Sequence, residues 1–297
     1  MFWQYFGNYL VEQNKITDLQ FKEVLLKQVE SNIKLGDLAV NEKLMTLKQA
    51  EELNKIQKQK DMRFGDLAIE KGYLLEEEVS YLLNKQNSSY LKFTQALVDL
   101  GIMSLDEIES NLNEFKSYYN YSDHDFDALK SNNIERIIPL FVKIDHSYKA
   151  EYIKLIIRNI LRFISNDIRI RNELITNEYT YGNLAYQMLT GDKNLFIGLA
   201  SKAKELLKIA IPFAREEFND VDEDAFDAVC EFLNCSNGLF ASKLSEEGVL
   251  LDMEPPYYSK NAKIYCPGNI YVLPLLIADE PIDLLMVLDH QFEINGG

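Results

Sequence analysis

The first 116 residues carry an internal period, and a period of this length restricts the architecture more than any single residue does. The segments FGNYLVEQNKIT from Phe6, LGDLAVNEKLMT from Leu35, FGDLAIEKGYLL from Phe64 and FTQALVDLGIMS from Phe93 align at a constant offset of 29 residues. Asn14, Lys43, Gly72 and Gly101 share the column where a short first helix must end in a left-handed residue, a conformation that Gly and Asn tolerate best. Thr17, Thr46 and Ser104 are each followed three residues later by Gln or Glu, forming capping boxes that open a second helix. Leu75 interrupts that column in the third copy. Apolar residues such as Phe21, Val24 and Leu25 then recur at helical spacing. Residues 1–116 are therefore expected to form an all-α domain of four helix pairs, for which stacking is the usual arrangement.

Beyond this region the signals change. Residues 117–133, SYYNYSDHDFDALKSNN, gather Ser, Asn, Asp and Tyr and read as a linker. From residue 134 to 297 strand and helix signals mix. IIPLFVKI is β-rich, and the 150–164 stretch carries a helical apolar stripe. DIRIRNEL, YGNLAYQML and NLFIGLA read as strands, the last two joined at TGDK. A helix is expected from near Ser201, with Pro212 interrupting it or opening another. A long helix follows, then further strands through VLLDM, AKIYC, IYVLPLLI and IDLLMVLD. The fold class expected is multi-domain: an all-α helical-repeat domain, then an α+β domain whose mostly antiparallel sheet is covered by helices on one face.

Charge narrows the partners. The chain carries a net charge of −16 and no Lys/Arg-rich run, which excludes a nucleic-acid backbone, because that affinity rests on cations displacing counterions. Proteins and small molecules remain. No signal peptide is readable in MFWQYFGNYL, and Asp279, Glu280 and Pro281 break the apolar C-terminal stretch, so no membrane span is expected and the location expected is cytoplasmic. Cys230, Cys235 and Cys266 show no metal-ligand spacing, and His124, His146 and His290 lie far apart, so no metal or other cofactor of its own is expected.

The stretch DAVCEFLN, Asp227–Asn234, shows where chemistry could reside. At about 100° per residue around a helix, Phe226, Val229, Leu233, Phe240 and Leu244 fall in one narrow apolar stripe. Asp227, Glu231, Asn234 and Gly238 line up in another, one turn after the next. A polar face is the ordinary outcome for any surface helix. Two features set this one apart: Asn is a poor helix-interior residue, and Asn237-Gly238 lowers helix stability without an evident return in packing, which makes these positions functional candidates. Glu216-Glu217-Phe218-Asn219 repeats the Glu-x-x-Asn spacing, but Pro212 and the turn-like Asn219-Asp220 mark that copy as structural.

These residues carry two resemblances. The order Asp227, Glu231, Asn234, Gly238, Gly248 and Pro255-Pro256 resembles the signature of the CheC, CheX and FliY chemotaxis phosphatases, most closely CheX, over residues 146–290. That resemblance implies dephosphorylation of the aspartyl phosphate of a CheY-type response regulator. It assigns Asn234 to orienting the attacking water, Glu231 to pairing with the regulator's active-site lysine, and Asp227 and Gly238 to docking. It also implies that the Mg²⁺ comes from the regulator, and it makes a homodimer an expected state. Some relatives carry a second Glu/Asn pair on the first helix; Glu151 is followed here by Lys154, so one site is expected. The N-terminal copies, at about residues 4–115, resemble the N-terminal domain of type II secretion and pilus assembly ATPases, some of which bind cyclic di-GMP. In the residues before the motif (Tyr5, Lys34, Arg63, Lys92) and the loop glycines, only Arg63, Gly65 and Gly72 of the third copy approach the nucleotide pattern, and Thr94 replaces the first Gly in the fourth. The helical domain is thus a regulatory or partner-docking module, or else a nucleotide site; the rival readings for the whole chain are a cyclic di-GMP-binding protein and a non-catalytic scaffold in two-component signalling.

Overall fold

A computed structural model of the chain describes residues 2–30, 35–57, 63–86, 89–131 and 133–296. The chain divides into two compact units, Phe2–Asn132 and Asn133–Gly297. The first is helical, with α1 Phe2–Glu12, α2 Asp18–Glu30, α3 Leu35–Asn41, α4 Leu47–Gln57, α5 Phe64–Glu70, α6 Glu76–Gln86, α7 Ser89–Asp99, α8 Leu105–Tyr118 and α9 Asp123–Ser131. The stretch 117–133 is not a structureless linker. It holds the end of α8 and all of α9, whose start is capped reciprocally: the Asp125 N–H donates to Ser122 Oγ at 3.2 Å and the Ser122 N–H to Asp125 Oδ2 at 3.0 Å. Phe126, Ala128 and Leu129 bury the inner face of α9. Amphipathic helices of this length can be carried by their caps and one apolar face despite a polar composition.

Both columns, of left-handed residues and of caps, have a direct structural counterpart. Asn14, Lys43, Gly72 and Gly101 all have positive φ, between 54° and 69°. The Thr17 N–H donates to Gln20 Oε1 at 2.9 Å, the Thr46 N–H to Gln49 Oε1 at 2.8 Å and the Ser104 N–H to Glu107 Oε2 at 2.8 Å. Leu75 lacks the hydroxyl, yet its N–H still donates to Glu78 Oε2 at 2.8 Å, so half of the box survives. Successive pairs do not simply stack. The second and third copies share one core, from Leu35 and Leu38 to Leu74 and Leu82. The first copy packs on the fourth, α2 against α7 and α1 against both α7 and α8. There Phe6 meets Phe93 and Phe115 edge-on, with ring centroids 6.3 and 5.6 Å apart.

The glycine of the first helix in the first three copies is a packing residue. A Cβ on Gly7 would lie 2.2 Å from the Phe21 ring, on Gly36 2.8 Å from Phe64, and on Gly65 2.8 Å from Val79 Cγ1. Thr94 fits at the fourth position because its hydroxyl donates to the Tyr90 and Leu91 carbonyls, each at 3.1 Å.

The second unit begins with α10, Ile134–Ile137, and a 3-10 turn over Ile138–Leu140. The β-rich run IIPLFVKI is therefore helical or irregular here. Asn133 caps α10, whose last residue is the first of that run, by accepting from the Glu135 N–H at 2.9 Å, and Pro139 lies in the first turn of the 3-10 helix. Local caps outweigh strand preference when Ile137 and Ile138 are buried in either conformation. After α11, Ser147–Phe163, come β1 Ile168–Ile170, β2 Leu174–Gly191 and β3 Leu195–Ser201. The helix expected from Ser201 starts only at Leu207, as α12 Leu207–Ala214, since β3 extends through Ser201. Then follow α13 Glu223–Glu246, β4 Leu251–Met253, β5 Tyr257–Ile277, β6 Glu280–Leu288 and β7 Glu293–Asn295. AKIYC and IYVLPLLI are one strand, β5.

All pairings in this seven-stranded sheet are antiparallel, in the order β1-β5-β6-β3-β2-β4. β2 also pairs with β5 over much of its length, from Leu174 opposite Val272 to Tyr186 opposite Tyr257. The four long strands β2, β3, β6 and β5 thus pair in a ring around Leu184, Phe196, Ile264, Ile270 and Leu285. Helix α13 lies against β2, β4 and β5 and touches α11 and α12.

Candidate active site

Helix α13 starts where Asp222 caps it by accepting from the Ala225 N–H at 3.0 Å. Its 24 residues give a rod about 36 Å long. Phe226, Val229, Leu233, Phe240 and Leu244 are all buried, and Phe240 meets Tyr152 of α11 edge-on at 5.1 Å. This anchoring stripe fixes how the helix is rotated, and so which residues face out.

Asp227 and Glu231 are exposed, one turn apart. Asn234 is half-buried beside them, its Nδ2 3.5 Å from Glu231 Oε2. The three therefore form one ridge, as their spacing requires. A cleft runs along each flank. One, of about 470 Å³, is lined by Asp227, Cys230, Glu231, Pro256, Tyr257 and Tyr258. The other, of about 490 Å³, includes Phe213, Glu216, Asp227 and Glu231. Pro256, in the loop between β4 and β5, thus shares a wall with both acids. The second Glu-x-x-Asn, at Glu216–Asn219, lies outside any helix: α12 ends at Ala214 and Arg215 takes the left-handed conformation at φ 60°.

Gly238 continues the line one turn beyond Asn234. A Cβ there would meet nothing closer than Met253 Sδ at 3.8 Å, so no packing within the chain demands a glycine. Asn237 does have a packing return that its sequence position did not reveal. It is fully buried, and its Nδ2 donates to Gln187 Oε1 at 2.8 Å. Gln187, on β2, is itself buried and donates through Nε2 to Asn234 Oδ1 at 2.9 Å. Sequence reasoning missed Gln187; its only sign was a polar residue within a strand, on the face that turns out to meet α13.

The neighbouring thiols are quiet. Burial, reinforced by the Asp227 carboxylate, pushes the Cys230 thiol up to about 12. Partial burial, with Glu231 beside it, also raises Cys235. Neither serves as a thiolate nucleophile near neutral pH. Among the described residues no cluster of three or more His, Cys, Asp and Glu side chains could hold a metal ion. Glu151 of α11 is engaged by Lys154 at 2.9 Å and by Lys243 of α13, and these cations hold its carboxyl below the usual range. Its carboxylate is thus already paired within the chain.

The residues of the nucleotide pattern lie on and beside α5. Arg63 is exposed at the N-cap of α5, Gly65 is buried against Val79 and Leu35, and Gly72 is an exposed left-handed residue on which a Cβ would meet nothing within 4 Å. Helix packing and helix termination account for both glycines. Lys34, the corresponding basic residue of the second copy, lies outside the described residues. No helix among the described residues is long and apolar enough to cross a membrane.

Residues 184–275, which include the whole ridge and Pro256, match the family model described as chemotaxis phosphatase CheX. No match is found among curated proteins. Among solved structures the chain is similar to a chemotaxis protein CheX from Desulfovibrio desulfuricans, at 15% identity over 48% of this chain and 99% of that one, with a TM-score of 0.42. It is also similar to the chemotaxis protein CheX from Vibrio vulnificus (16% identity, 50% and 100% coverage, TM-score 0.42). A third similar structure is the CheX chain in the CheX-CheY-BeF3-Mg complex from Borrelia burgdorferi (17% identity, 52% and 100% coverage, TM-score 0.37).

Proposed function

We propose, on the premise that residues 184–275 are a region of the CheX phosphatase family, that this protein hydrolyses the aspartyl phosphate of a CheY-type response regulator with the α13 ridge. One observation carries the reading: the Glu231 carboxylate and the Asn234 amide stand side by side on the open face of one rigid helix, with a cleft on either flank. A ridge suits a substrate that sits in a partner's pocket. It enters that pocket rather than enclosing a ligand.

An acyl phosphate needs little covalent help. A water oxygen bonds to phosphorus while the bond to the aspartyl oxygen breaks; the carboxylate leaves, and the water's proton passes to solvent or to the released phosphate. Catalysis then consists of placing the water in line and matching the charge around it. Asn234 Nδ2 faces outward and holds that water. Glu231 pairs with the regulator's lysine, Asp227 supports the same contact, and Gly238 lets the partner's backbone approach the helix. The Mg²⁺ is the regulator's.

The test is the decay of a phosphorylated CheY-type regulator from the same cell. Asn234→Ala should lose the acceleration, by about 10²-fold or more, with unchanged circular dichroism. Glu231→Ala should chiefly raise KM. Equal acceleration by the protein and its Asn234→Ala variant would overturn the reading.

A further inference from the structure

Asn234 has a symmetric-looking side chain, and a water-positioning amide works only if its nitrogen and oxygen are the right way round. In this fold the direction is dictated by a backbone carbonyl. Gln187 is 1% exposed, and its side-chain amide touches three groups: the Glu254 carbonyl at 2.7 Å, Asn234 at 2.9 Å and Asn237 at 2.8 Å. A peptide carbonyl only accepts. The Gln187 atom facing Glu254 must therefore be Nε2, and the same nitrogen donates to Asn234. The Asn234 atom that receives this bond must be Oδ1, leaving Nδ2 turned outward toward Glu231. Gln187 Oε1, on the other side, takes the Asn237 donor and cannot exchange places with Nε2 without setting two acceptors against each other.

We infer that Gln187 is the positioning residue for Asn234: it reads the polarity of the Glu254 carbonyl and transmits it to the Asn234 amide, so that an N–H₂ rather than a carbonyl faces the partner. The inference rests on the phosphatase reading for its catalytic meaning. Its geometric content stands alone. It also gives the nearby prolines a task, since Pro255 and Pro256 directly follow Glu254 and limit the backbone conformations available to the residue that carries the reference carbonyl.

Two variants test it in the full-length chain. Gln187→Leu removes the whole relay, while Gln187→Glu keeps the shape and the acceptor for Asn237 but removes the donor to Asn234. The direct readout is the side-chain amide resonance pair of Asn234 in a ¹⁵N-labelled sample, assigned by its disappearance in Asn234→Ala. Both variants should shift that pair toward the position of an unrestrained asparagine amide. In regulator dephosphorylation, kcat should fall about 10- to 100-fold with KM within about twofold. An Asn234 pair that stays in place in a folded Gln187→Glu variant overturns the inference, whatever the activity. A shifted pair with kcat retained overturns the positioning role. If unaltered protein accelerates no regulator, the phosphatase reading falls, and the resonance alone decides whether Gln187 holds Asn234. Should Gln187→Leu fail to fold, Gln187→Glu decides alone.

Discussion

Gly7 and Gly238 both lie inside continuous helices, and the same residue type has opposite meanings at the two places. At Gly7 the chain's own packing forbids a methyl group, because a Cβ would sit 2.2 Å from the Phe21 ring. At Gly238 the nearest atom is a methionine sulfur at an ordinary 3.8 Å. Gly7→Ala should therefore destabilise the helical unit by about 1–3 kcal/mol through overpacking. Gly238→Ala should stabilise its own unit by up to about 1 kcal/mol, the helix penalty of Gly relative to Ala, while slowing dephosphorylation. Urea unfolding followed by circular dichroism measures both shifts, and a destabilised Gly238→Ala would mean that the gap serves the fold rather than a partner. The sequence shows that a mid-helix Gly carries a cost. It does not show whether the close neighbour belongs to the same chain, because that depends on tertiary packing. Asn237 illustrates the same limit: it looks uncompensated until Gln187, fifty residues away, supplies its partner.

At the scale of the element, legibility followed how local the determinants are. The left-handed turns at Asn14, Lys43, Gly72 and Gly101 and the caps at Thr17, Thr46 and Ser104 lie within a few residues of the features they create, so both were readable. So was the ridge, because helical geometry alone aligns Asp227, Glu231 and Asn234. The short α9 was missed although Ser122 and Asp125 carry a cap of the same kind; its polar composition masked a three-residue apolar face. IIPLFVKI failed for the opposite reason, since a β-branched run is equally buried in a helix and in a strand, and the Asn133 cap chose the helix. The beginning of α13 depends on a cap too. Asp222→Ala should cost about 0.5–2 kcal/mol and loosen the first turn, which directly precedes Asp227. Amide hydrogen exchange should then quicken over Glu223–Asp227 with little change at Asn234. Protection unaltered in that first turn would show that the tertiary contacts of Phe226 hold it without the cap.

The molecule as a whole comprises two compact units with separate apolar cores, one of helices and one around a ring of strands. Units with their own cores commonly melt as separate cooperative blocks. Calorimetry of the full chain should accordingly give a calorimetric enthalpy well above the van't Hoff value, resolvable into two transitions; a ratio of one would mean that the units unfold together. Within the helical unit, the pairing of the first copy with the fourth and of the second with the third has a further consequence. In an open solenoid each copy meets only its neighbours, so copy number drifts by single duplications and losses over evolution, and length is free to vary. Here a single deletion would leave one copy without its mate. The permitted unit of change is therefore the pair of mated copies rather than the single copy.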